Sequence, residues 1–151
     1  MADAILMGSG TPKSPLIHYY VDGGPKEIYG VFTNYTPGGA SDPNPIGTNN
    51  SHTNYTYLKN YLELDTSNKR INVAKSFKGR AWAWASDALS SRIVLKNDAG
   101  MIIWDSGELS SHMYSNPVSS PIINPLKGWY FEFKETTTAD VYKTLVVEKV
   151  L

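Results

Sequence analysis

The sequence predicts an all-β fold, an antiparallel β-sandwich or jelly roll of about seven to nine strands with an extended N-terminal arm. Three observations predict it. Short runs rich in β-branched and aromatic residues recur along the chain, clusters of turn-forming residues separate them, and no window sustains an apolar period of 3.6 between helix caps. The best helical candidate, residues 86–95, is short and serine-rich, which allows at most one short helix. A closed barrel is the alternative architecture.

With 151 residues the chain has the length of one domain and can bury a continuous core without metals or disulfides. Apolar residues make up 41% and charged residues 19%, and four Trp, ten Tyr and four Phe supply bulk for a packed interior. Fourteen Lys and Arg balance fourteen Asp and Glu, so the chain has no long-range positive field, and we expect neither nucleic acid nor membrane as a partner. There is no cysteine, which excludes disulfides and thiolate metal sites. The opening Met-Ala-Asp-Ala-Ile-Leu-Met-Gly has an acid where a secretory signal carries Lys or Arg, and no apolar run approaches the roughly 20 residues of a membrane span. The expectation is synthesis in the cytosol without export, and the sequons at Asn34, Asn49 and Asn54 then carry little weight.

Along the chain, residues 1–15 hold Gly8, Gly10, Pro12 and Pro15 around an apolar patch of Ile5, Leu6 and Met7. That composition suits an arm outside the compact domain, docked on another chain through those three side chains. Residues 16–151 make the sandwich domain. Its first two strand-like runs, 16–21 and 27–33, flank Asp22-Gly-Gly-Pro25 and read as a hairpin. Residues 34–54 are nearly all Pro, Gly, Asn, Ser, Thr and Asp, with Pro37, Pro43 and Pro45 opposing any regular element. A loop of that length exceeds the roughly 12 to 15 residues usual in compact domains, and reads either as a plain surface loop or as a binding loop.

Three more hairpins follow: 61–65 with 70–74 about the turn 66–69, 92–96 with 101–105 about Asn97-Asp-Ala-Gly100, and 129–134 with 141–150 about 135–139. Between them lies Arg80-Ala-Trp-Ala-Trp-Ala-Ser86. Strand alternation puts Trp82 and Trp84 on one face and Ala81, Ala83 and Ala85 on the other. Exposing two indoles costs several kcal/mol more than exposing three methyl groups at about 25 cal/mol per Å2, so the tryptophans are expected to face the core.

Catalytic patterns are missing. His18, His52 and His112 fall in a strand, the long loop and a serine-rich turn without metal-ligand spacing, and read as solvated or hydrogen-bonded side chains. No G-x-S-x-G turn marks a nucleophile, and no glycine cluster precedes a strand-to-helix unit. The nearest carboxylate pairs, Glu63 with Asp65 and Asp105 with Glu108, suit the solvated side of a hairpin better than a glycosidase. We expect no enzyme, no cofactor and no metal. Trp82, Trp84 and Trp104 are read as core; a sugar-stacking platform is their functional alternative. Tyr35, Tyr55 and Tyr57, at the ends of the long loop, together with Asp98 make the candidate binding surface.

Two short segments carry resemblances. Lys96-Asn-Asp-Ala-Gly-Met-Ile-Ile-Trp104 resembles the mannose-binding repeat Gln-x-Asp-x-Asn-x-Val-x-Tyr of monocot and bacteriocin-type lectins. Asp98 matches and Ile102 and Trp104 are conservative, but Lys96 and Gly100 stand where the pattern has its glutamine and asparagine, and the motif occurs once. The opening Met1-Ala-Asp-Ala-Ile-Leu-Met-Gly-Ser-Gly10 is similar to the starts of tail-fibre, baseplate and related structural proteins of phages and prophages. It covers about ten residues and carries no functional residue across. What it implies is a virion protein synthesised in the host cytoplasm, partnered by other virion proteins and by copies of itself. The expected function is accordingly that of a non-enzymatic structural subunit of a phage particle or phage-tail-like assembly, as a decoration, fibre or baseplate protein. A carbohydrate-binding module or lectin-like adhesin that holds a host-surface glycan is the alternative.

Overall fold

A computed structural model describes residues 3–7, 17–21, 26–36, 46–48, 55–65, 67–68, 70–85, 91–109, 117–135 and 141–150. Among them there is no helix, and the strands run β1 (Asp3–Met7), β2 (Ile17–Val21), β3 (Lys26–Thr36), β4 (Ile46–Thr48), β5 (Tyr55–Tyr57), β6 (Leu62–Asp65), β7 (Arg70–Val73), β8 (Gly79–Ala85), β9 (Ser91–Lys96), β10 (Ile102–Asp105), β11 (Val118–Ser119), β12 (Tyr130–Glu135) and β13 (Val141–Lys149). The fold is an all-β sandwich. One sheet has five strands in the order β10-β9-β12-β7-β6; the other has six, in the order β11-β8-β13-β3-β4 with β5 also on β3. A separate two-stranded sheet joins β1 to β2. All pairings are antiparallel except β5 on β3.

Two of the four expected hairpins form. Leu62–Asp65 pairs with Arg70–Val73, and β9 pairs with β10 across the turn at 97–100. The other two do not. β2 pairs with β1, because β3 has both edges taken, by β13 on one side and by β4 and β5 on the other. β12 and β13 are consecutive in sequence yet lie at the centres of opposite sheets, β12 between β9 and β7 and β13 between β8 and β3. The two strands therefore belong to different layers, where the sequence suggests one hairpin. Nor is residues 34–54 all loop: β3 continues to Thr36, and Ile46–Thr48, just past the last proline, takes hydrogen bonds from Phe32–Asn34 as a short edge strand.

The space between the sheets holds one apolar cluster. The six-stranded sheet contributes Tyr29, Phe32, Ala81, Ala83, Ala85, Leu145 and Val147; the five-stranded sheet contributes Leu62, Ile71, Val73, Ile93, Leu95, Phe131 and Phe133. Phe77, Leu109 and Ile123 complete it from the connections. A bulge in β3 puts Gly30 opposite Val147 but Ile28 opposite Glu148, and this extra residue swings Tyr29 inward. There the Tyr29 ring lies 4.2 Å from Phe77 and 4.8 Å from Tyr61, and its hydroxyl donates to the Lys78 carbonyl at 3.1 Å. Gly79 is small for a direct reason: a Cβ there would stand 2.5 Å from the Glu148 carbonyl oxygen.

The tryptophans of β8 correct the sequence expectation. Ala81, Ala83 and Ala85 face the core, and Trp82 and Trp84 face the other way. The expectation assumed that the second face meets water, and it does not: Ile28, Val31, Trp84, Thr144, Val146 and Glu148 on that side are all buried, Trp84 to 2% exposure. With both faces buried, exposure no longer chooses the side, and fit between the sheets does. Trp82 is half-buried, and its indole N–H donates to Glu148 Oε1 at 2.9 Å. Trp104, by contrast, packs against the core as expected.

This arrangement makes Ala83→Leu an overpacking change. We expect it to cost about 1–3 kcal/mol in urea unfolding. Trp84→Ala, which empties a buried site on the outer face, is expected to cost about 3–5 kcal/mol. An Ala83→Leu chain as stable as the parent would contradict the inward placement of the alanines.

Lys143 is fully buried on the inner face of β13, in line with Leu145 and Val147 and opposite Ala85. Burial pushes its ammonium down from 10.5 to about 7. Below pH 7 the group is charged in both states and the folded state bears the full desolvation cost; between about 7 and 10.5 the folded state sheds a proton that the unfolded state keeps. Stability should therefore rise with pH through that window. Lys143→Met should remove the rise and stabilise the protein near pH 6 by a few kcal/mol, about 5 at most, as read from urea midpoints at a series of pH values.

Candidate interaction surface

β10 is an outer strand of the five-stranded sheet, paired on one side with β9. The turn that delivers it is closed by Asn97. Its Oδ1 accepts from the N–H of Ala99 at 3.0 Å and of Met101 at 2.9 Å, while Gly100 takes φ +81° and donates its N–H to the Asn97 carbonyl at 3.0 Å. These are the hydrogen bonds that Asn and Gly supply at a tight turn. The register then slips between Ile102 and Trp104, a bulge that inserts one residue, Ile103, into the edge. Trp104 turns in against the core, and three consecutive apolar side chains are left in the open: Met101 is 64% exposed, Ile102 49% and Ile103 45%.

The rest of this side of the sandwich comes from 118–128. The sheets face each other with β4 against β6, so the opposite ends of the two orders, β11 and β10, share the other side. β11 and the residues after it run along the free edge of β8. The Ser120 N–H donates to the Ala81 carbonyl at 2.8 Å, the Ala81 N–H donates to Ser120 Oγ at 2.8 Å, and Gly79 and Ile123 exchange hydrogen bonds at 2.9 and 2.8 Å. This fixes Ile122, flanked by Pro121 and the buried Ile123, on the outside at 48% exposure, and Leu126 follows at 54%. Leu126 belongs to the turn whose Gly128 abuts Asp98. Among the described residues, the large apolar side chains left exposed are these five, all on one side of the sandwich.

Four of the charged groups beside β10 are paired within the chain. Arg92 Nη1 meets Asp105 Oδ2 at 2.9 Å, and Asp105 Oδ1 also accepts the Gly107 N–H at 2.8 Å. Lys96 Nζ meets Glu132 Oε1 at 2.9 Å, and the hydrogen bond to Glu132 holds its pKa above the ordinary value. The opposite edge of the same sheet is polar. There β6 carries exposed Glu63 and half-buried Asp65, whose carboxylate accepts from the Asn68 side chain and N–H and from Asn72, bonds that lower its pKa. The outer face between is polar too, with the Arg70 guanidinium 4.1 Å over the Tyr130 ring.

The residues singled out from sequence do not form one cluster. Tyr55 and Tyr57 sit on β5 opposite Lys26 and Ile28, whereas Tyr35 lies opposite Tyr142, seven residues further along β3 than Ile28 and so about 20 Å away. Asp98 is exposed in the turn at the end of the other sheet, next to the apolar patch. Ile5, Leu6 and Met7 lie on β1, opposite Tyr19, His18 and Ile17 of β2. His52 and His112 fall outside the described residues. The nine residues of the lectin-like segment are divided between the end of β9, a turn and β10, with Lys96 engaged by Glu132.

Ile122 and Leu126 were missed because nothing local marks them. Met101-Ile-Ile was readable: three consecutive apolar residues cannot all share one face of a strand, so at least one must point out. Among the described residues no group of three or more His, Cys, Asp or Glu is placed to hold a metal ion, and no helix is long and apolar enough to cross a membrane. Compared with protein-family models, with characterised proteins and with solved structures, the chain matches none.

Proposed function

We propose that this chain is a non-enzymatic structural subunit of a larger protein assembly and acts through protein–protein contacts. The observation that carries the reading is the concentration of Met101, Ile102, Ile103, Ile122 and Leu126 on one side of the sandwich. With ordinary side-chain areas these come to a few hundred Å2, the size of the largest apolar patch on an ordinary monomer, which is often a functional one. The similarity of residues 1–10 to the starts of phage and prophage structural proteins favours a phage particle or tail-like machine as that assembly, with the sandwich as a decoration, fibre or baseplate component.

Glycan binding is the second reading, and the placement of Trp82 favours it. Its half-buried indole lies on the face away from the inter-sheet core, with Arg80 two residues before it and Glu148 at its N–H. A flat ring beside a guanidinium is chemistry that can meet a sugar's C–H face and hydroxyls, with Glu148 holding the ring in place.

Both readings can be tested on the intact chain. Expressed with a tag in the cell that encodes it and followed through a density gradient, the chain should travel with a large particle. An Ile103→Lys, Leu126→Lys double variant should shift to the light fractions. A wild-type chain found only as a small free species would overturn the subunit reading, and retention on a glycan array that Trp82→Ala abolishes would establish the second one in its place.

A further inference from the structure

We propose that the β10 edge pairs with the β10 edge of a second copy of this chain, about a two-fold axis, to make a sheet continuous across a dimer. The inference rests on the reading of the chain as an assembly subunit and names its first partner. A strand that pairs with its own copy about a two-fold axis is necessarily antiparallel, the arrangement that every neighbour in this sheet already has. On its outer side β10 has no strand partner among the described residues, and its exposed side chains Met101, Ile102 and Ile103 have apolar matches in the same three residues of the copy.

Charge selects a second copy over a partner of opposite sign. Along the paired length of β10 the charges are matched within the chain, Arg92 by Asp105 and Lys96 by Glu132, the exposed Asp98 and Glu108 lie beyond its two ends, and the whole chain has a formal net charge of zero. Over residues 102–105 two identical edges then approach with their own charges already matched, and the middle of the seam is apolar. The other end of the sheet sets the stoichiometry. Glu63 and Asp65 on β6 place carboxylates where a further copy would have to add, so growth of the sheet stops at two. The bulge at Ile103 limits the pairable length in the same sense.

Native mass spectrometry and sedimentation equilibrium of the full chain, from micromolar to about a hundred micromolar, test the pairing. The expected species has twice the 16.7 kDa chain mass. Ile103→Lys should weaken dimerisation roughly tenfold or more while leaving the far-UV circular dichroism spectrum unchanged, and Thr56→Lys, an exposed position of β5 at the other side of the sandwich, should leave it intact. Should the Ile103 variant fail to fold, amide exchange on the wild type decides: protection at residues 102–105 should grow with protein concentration. A monomer throughout that range, a dimer indifferent to Ile103→Lys, or concentration-independent exchange at 102–105 would each overturn the pairing. A monomer that still enters the large particle leaves the subunit reading standing, whereas a dimer that never does removes that reading alone.

Discussion

Small residues on one sheet face large residues on the other, and the rest of the sandwich is arranged around that match. Packed sheets keep a separation of about 10 Å, which a layer of indoles meeting a layer of phenyl rings would exceed. β8 resolves this by turning its three alanines to the interior while Ile93 and Leu95 of β9 and Phe131 and Phe133 of β12 enter from the opposite sheet. The tryptophans are then obliged to take the outer face. They reside there at modest cost because Ile28, Val31 and Val146 are buried on the same side and Glu148 accepts the Trp82 N–H. A buried carboxylate and a buried ammonium at Lys143 flank this arrangement on opposite faces of β13, which makes that strand the most polar element of a buried sheet.

Which parts of the fold were legible follows from the range of the interactions. The hairpins of β6 with β7 and of β9 with β10 are local: turn chemistry, as at Asn97 and Gly100, decides them, and turn chemistry is written in adjacent residues. β13 is decided elsewhere. Its partners are β8, some sixty residues upstream, and β3, more than a hundred residues upstream. Neither pairing leaves a mark within 135–150, so adjacency to β12 suggested a hairpin where a crossover between sheets exists. The facing of Trp82 and Trp84 was illegible for the same reason. Alternation along β8 was correctly read, but which face is inner depends on the volume of side chains that arrive from the opposite sheet.

The candidate surface divides along the same line. Met101, Ile102 and Ile103 are a local signal, since consecutive apolar residues overfill one face of a strand. Ile122 and Leu126 sit in a Pro-rich connection whose path is fixed by hydrogen bonds to Gly79 and Ala81 of β8, about forty residues away, and only that path places them on the β8 edge of the sandwich. Tyr35, Tyr55 and Tyr57 illustrate the reverse error. Proximity to one loop in sequence suggested a cluster, whereas the parallel pairing of β5 with the start of β3 separates them along the sheet.

The two edges of the five-stranded sheet were built under opposite demands. An edge strand left in water is a hazard, and charge is the cheapest protection because a lysine or glutamate at an exposed position displaces no packing. β6 uses that protection at Glu63 and Asp65. At Ile103, which is 45% exposed and occupies a bulge, a charged side chain would fit as easily, yet the position is apolar and so are both residues before it. Leaving those groups in water forfeits roughly 25 cal/mol for each Å2 of apolar surface, a cost that only contact with another surface recovers. Local folding does not explain the choice either, since the Asn97 turn needs only the Met101 N–H and not its side chain. On the proposed reading the apolar edge is the seam for a second copy, and the carboxylates of β6 keep the far edge of the sheet from the same pairing.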